Sequence, residues 1–83
     1  MKLMEVLSGH PQVSVERRSD GGSVRVSRQQ TGYTLTRVVL DQAGHPMEQT
    51  WQFVSLYDVF QYARQSGLSE LDLEATDWEV VGR

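Results

Sequence analysis

Between residues 12 and 30 apolar and polar side chains alternate with a period of two, and the alternation breaks once, at Ser19-Asp20-Gly21-Gly22. A period of two sends successive side chains to opposite faces of a strand. In QVSVERR (12–18), Val13, Val15 and Arg17 share one face, and Ser14, Glu16 and Arg18 share the other. In SVRVSRQQ (23–30), Val24 and Val26 lie opposite Arg25, Ser27 and Gln29. Asp-Gly and Gly-Gly supply the positive φ that a tight turn needs. The stretch therefore reads as a β-hairpin, and the fold must contain an antiparallel sheet.

The next turn is Thr31-Gly32. YTLTRVVL (33–40) puts Tyr33 and Leu35 on one face and Thr34 and Thr36 on the other, and then Val38 and Leu40 fall out of phase with Leu35. That slip predicts either a bulge near Arg37 or a strand end covered on both faces. DQAGHP (41–46) is a loop, and MEQTWQFV (47–54) is a fourth strand with Trp51 and Phe53 inward and Thr50 and Gln52 outward.

Two helices complete the pattern. In Met1 to Ser8, Leu3, Val6 and Leu7 recur at i, i+3, i+4, and Gly9 with Pro11 stops the helix. So short a helix needs packing to hold it. Ser55 is a good N-cap, with Asp58 three residues on at the positive end of the helix dipole. Leu56, Val59, Phe60 and Ala63 then form a stripe, and Gly67 ends the helix. LSELDLEATD (68–77) is an acidic connector, and WEVV (78–81) has the composition of a last short strand.

The predicted class is α+β, in the order α-β-β-β-β-α-β, with residues 1–83 as one domain. A four-stranded antiparallel meander carries the 55–66 helix on one face, a short helix precedes it, and the last strand can add to an edge. The helix stripe meets Val13, Val15, Val24, Val26, Tyr33, Leu35, Trp51 and Phe53. Large side chains contribute about 1.5–3 kcal/mol each when buried, enough for one modest core.

Composition removes several chemistries. There is no cysteine, hence no disulfide, thiolate zinc site or thiol nucleophile. The N-terminus lacks the apolar core of a signal peptide, and no run approaches the roughly 20 apolar residues of a membrane span. A cytoplasmic protein without membrane contact is the expectation. No Gly-rich phosphate loop, His-Glu-x-x-His or Gly-x-Ser-x-Gly occurs.

Gly-His-Pro appears twice, at 9–11 and 44–46, and holds the only histidines and prolines. One copy precedes the first strand and the other the fourth. In a meander these strands run in opposite directions, so the two histidines should sit at opposite ends of the sheet. A six-residue strand spans roughly 20 Å, and zinc–nitrogen bonds are about 2 Å. The repeat is therefore loop punctuation rather than a shared metal site. No catalytic residue, metal or cofactor is assigned, and the chain is read as non-enzymatic.

Charge is more informative. Residues 1–40 carry six basic and three acidic side chains, whereas residues 41–83 carry two basic and eight acidic. SELDLEATDWE (69–79) has five carboxylates and no base. The expected function is a protein-interaction module, a regulator or inhibitor, that docks on a basic surface through Glu70, Asp72, Glu74, Asp77 and Glu79. A phage-type inhibitor of a nucleic-acid-binding host protein has this size and charge. Trp78 within the segment is either an anchor to the core or an interface residue, the anchor being favoured. The alternative is single-stranded nucleic-acid binding on an outward face rich in Arg, Ser, Thr and Gln, through Arg18, Arg25, Arg28 and Arg37. Against it stand a pI of about 5.2 and the absence of outward aromatics for base stacking. An open sheet edge also invites a homodimer.

Overall fold

A computed structural model describes residues 2–19, 22–68, 71–72 and 74–82. Along the chain come α1 (Leu3–Gly9), β1 (Val13–Ser19), β2 (Gly22–Gln29), β3 (Gly32–Leu40), β4 (Pro46–Phe53), α2 (Leu56–Ser66) and β5 (Glu79–Gly82). The strands form one antiparallel sheet in the order β4-β3-β2-β1-β5. The α+β order and the meander are those expected from the sequence, with β5 added beside β1. The edges are β4 and β5, and the Arg-containing β2 is the central strand.

The inner face carries a row running across the sheet through Trp51, Leu35, Val26, Val15 and Val80. Leu35, Val26 and Val15 are fully buried. Leu3, Val6 and Leu7 of α1 and Val59 and Ala63 of α2 pack into the same core. Leu68, Leu71 and Trp78 join them, so the acidic connector folds onto the sheet at these three points.

The helix ends follow local chemistry. Ser55 Oγ accepts the Asp58 N–H at 3.2 Å, and Gly67, at φ 71°, closes α2 by donating to the Ala63 carbonyl. α1 has no side-chain N-cap. At its other end the Arg28 guanidinium, projecting from β2, donates to the carbonyls of Leu7 and of His10, the latter at 3.1 Å.

The phase slip in β3 has a different cause from the two expected. Register runs unbroken from Gly22↔Val39 to Gln29↔Gly32 and from Tyr33↔Phe53 to Leu40↔Pro46, so there is no bulge near Arg37. Arg37 stays on the inner face in phase with Leu35, and Val38 and Leu40 fall on the outer face. Nor is this end covered on both sides, because Leu40 is 54% exposed. The neighbouring inner positions of β4, Met47 and Gln49, are exposed as well. The core stops short of this end, which relaxes the demand for apolar residues on the inner face. Among the described residues, the one register shift in the sheet falls between Ser14 and Val15, against β5.

Candidate functional site

The outer face is a polar ladder. Glu16 lies between two arginines, accepting from Arg18 Nε at 3.0 Å and from an Arg25 terminal nitrogen at 2.9 Å. Both guanidiniums hold the Glu16 carboxyl below the usual glutamate range, Arg18 most strongly, and the Arg18 guanidinium is in turn pushed up. Ser14 and Ser27 hydroxyls meet at 2.8 Å, and those of Thr36 and Thr50 at 3.4 Å. A concavity of about 120 Å³ is lined by Glu16, Ser23, Arg25, Thr36, Val38 and Glu48. Its single arginine stands between two carboxylates, a poor arrangement for an anion.

The four arginines of the nucleic-acid reading do not share a surface. Arg18 and Arg25 lie on the outer face, where Glu16 partly neutralises them. Arg28 and Arg37 point to the helix side, and Arg28 is engaged with the end of α1. Tyr33, Trp51 and Phe53 also lie on the inner face, packed against the core.

The acidic segment borders β5. Trp78 is 1% exposed and its indole N–H donates to the Asp72 carbonyl at 3.0 Å, so Trp78 is an anchor. Asp72 Oδ1 accepts the Glu74 N–H at 3.0 Å. Asp72, Glu74, Asp77 and Glu79 are all exposed. Asp77 is paired with Arg17 Nε at 2.8 Å, which lowers its carboxyl below the usual aspartate range, and Glu74 lies 3.6 Å from Lys2. Glu70 lies outside the described residues.

A second surface lies at the opposite edge of the sheet. Trp51 and Phe53 of β4 pack against Tyr62 of α2, with ring centroids 4.9 and 5.7 Å apart. All three rings are half-buried. Next to them in sequence Val54 and Tyr57 are 82% and 69% exposed, and at the other end of β4 Met47 is 52% and Leu40 of β3 54% exposed. Among the described residues, four of the six exposed large apolar side chains lie on or next to β4, Leu40 and Met47 at one end of the strand and Val54 and Tyr57 at the other, beside the aromatic cluster. The Tyr57 hydroxyl accepts from Gln61 Nε2 at 2.7 Å, holding the ring against its own helix. The sequence carried a signal for this patch. Tyr57 lies off the α2 stripe, and Val54 follows Phe53 with opposite parity, so neither could enter the core.

The remaining clefts offer little chemistry. A groove of about 280 Å³ runs between the helices, lined by Met4, Leu7, Ser8, Arg28, Tyr33 and Leu56. Its one charged group is the Arg28 guanidinium already bound to α1. His10 and His45 precede antiparallel strands, β1 and β4, separated by two others, and His45 Nδ1 lies 3.5 Å from Asp41. Among the described residues no group of three or more His, Cys, Asp or Glu could hold a metal ion, and no helix is long and apolar enough to cross a membrane. No family model, no curated protein and no solved structure matches the chain.

Proposed function

We propose that the chain is a non-enzymatic protein-interaction module whose docking surface is the apolar border formed by β4 and the first turn of α2. The observation that carries this reading is the exposure of Val54 and Tyr57 next to the half-buried cluster of Trp51, Phe53 and Tyr62, with Met47 exposed further along β4. Aromatic residues and methionine are enriched in interface cores, while charge is depleted there. The only ionisable side chains in the segment 46–57 are Glu48, at the start of β4, and Tyr57.

The acidic border beside β5 is a second surface. Its exposed Asp72, Glu74, Asp77 and Glu79, held beside the buried Trp78, favour docking on a basic partner, as a regulator or inhibitor would use it. Lys2 and Arg17 offset two of its four described carboxylates, so it contributes steering more than affinity. Nucleic-acid binding is disfavoured by the division of the four arginines between two faces.

Affinity capture from a lysate of the source cell, with and without nuclease, tests the class of partner. Proteins retained after nuclease are the expected result. A set of partners that disappears with nuclease would favour the arginines and overturn this reading.

A further inference from the structure

The free edge of β4 is organised to receive a particular strand. Beyond β4's start, the Asp41 N–H donates to the His45 carbonyl at 2.9 Å. Residues 41 and 45 continue the register in which Leu40 faces Pro46 and Val39 faces Met47. An antiparallel ladder alternates hydrogen-bonded and non-bonded pairs. Met47, Gln49, Trp51 and Phe53 therefore bond to β3, and Pro46, Glu48, Thr50 and Gln52 turn their backbone groups away from it. Pro46, which has no N–H to give, falls in the outward set. Glu48, Thr50 and Gln52 thus offer a row of N–H and C=O groups along the edge.

We propose that a second copy of this chain occupies that edge, with the two β4 strands paired antiparallel about a twofold axis at Thr50. This rests on the β4 border being an interaction surface and names its occupant. In this register Thr50 faces Thr50 of the second copy, and Glu48 faces Gln52 of the second copy on each side of the axis. Every outward N–H and C=O of the three residues then finds a partner. The one charge in β4 meets an amide that can donate to it. On the inner face Met47 lies opposite Phe53 of the second copy, and Gln49 opposite Trp51. The exposed Met47 side chain thereby gains an aromatic neighbour.

Neighbouring registers are worse for stated reasons. Slipping one way sets Pro46, without an N–H, against Gln52, and a further step sets Glu48 against Glu48. Slipping the other way sets Met47 against Ser55. The edge is thus self-complementary in one register, which points to a second copy rather than to an unrelated strand. The other edge, β5, spans only Glu79–Gly82 and carries the register shift against β1. Pairing through β4 builds a continuous ten-stranded sheet and places the two acidic borders at its far ends.

Sedimentation equilibrium of the full chain over a wide concentration range tests the pairing. A monomer–dimer equilibrium is expected. Gln52→Glu, which puts two carboxylates opposite each other at two places, should weaken it about tenfold. Adding Glu48→Lys to Gln52→Glu should restore it, because each introduced ammonium then faces an introduced carboxylate of the second copy. Thr50→Pro removes an N–H that faces only the second copy and should also weaken the dimer. If that variant fails to fold, the charge series decides alone. A wild-type chain that stays monomeric throughout would overturn the proposal, as would a dimer indifferent to Gln52→Glu. If either is found while lysate proteins remain on the β4 border, the pairing fails and the interaction reading stands. If the dimer forms as expected and no other protein is captured, the border serves self-association alone.

Discussion

The indole N–H of Trp78 donates to the carbonyl of Asp72 at 3.0 Å, and the ring it belongs to is 1% exposed. One side chain therefore closes the acidic connector on itself and fastens it to the core just before β5. Trp78→Ala should cost about 3–5 kcal/mol, the range for truncating a buried aromatic. Trp78→Phe keeps most of the packing and leaves the Asp72 carbonyl without this donor, at about 1 kcal/mol. Urea unfolding of the two variants checks the ordering. Amide exchange should also show β5 losing protection in Trp78→Ala before the β2–β3 ladder does.

Arg28 is a buttress for α1 rather than a free cation. Its guanidinium satisfies carbonyls at the end of a seven-residue helix. Arg28→Met retains the aliphatic stem and removes the donors, so the cost should be about 2 kcal/mol. It should appear first as faster amide exchange in Leu3–Gly9. Equal protection of α1 in both proteins would remove this role.

Glu16 and Asp77 both have carboxyls held below their usual ranges by arginines. A carboxyl depressed in the folded state stabilises it above the unfolded value, and that contribution is lost as pH falls through the folded value. Thermal stability should accordingly decline on acidification, beginning near the ordinary carboxylate range. Glu16→Gln should flatten the decline, because that side chain no longer titrates. Arg18 and Asp77 are open to solvent although Glu16 itself is only 11% exposed, so the slope should be shallow and should shrink further in high salt.

Gly32 begins β3 at φ 154°, and a Cβ there would run into the Phe53 carbonyl of β4. Gly32→Ala should destabilise the fold by about 1–3 kcal/mol through backbone strain and forced separation of the two strands. Gly67→Ala meets no atom and carries only the left-handed penalty of its φ of 71°, about 1 kcal/mol. Thermal melts of the pair separate the two effects.

The sheet and α2 were legible because their signals are local. A period of two, a Ser cap three residues before Asp58 and a terminal Gly67 each act within a few residues. The division of the arginines was present in the same alternation, since Arg28 is in phase with Val26 and Arg37 with Leu35. It was obscured by Val38 and Leu40, which mimic a second apolar face at an end the helices do not cover. Trp78 was legible as an anchor to the core, but the burial of Leu68 and Leu71 could not be read from the connector, whose alternating carboxylates look fully solvated. The shared core decides it, and that core exists only once the sheet and helices have formed. The apolar border was missed for a related reason: Trp51 and Phe53 of β4 and Tyr62 of α2 come together only in the fold, and Val54 and Tyr57 lie in the turn and helix start that join them.

Docking through the β4 border is tested most directly by affinity capture from nuclease-treated lysate with two baits, the wild-type chain and a Val54→Glu/Tyr57→Glu variant of equal melting temperature. Both positions are mostly exposed, so the charges should be tolerated by the monomer. Proteins held by the wild-type bait should be lost from the variant. Identical captures from the two baits would contradict docking through this border.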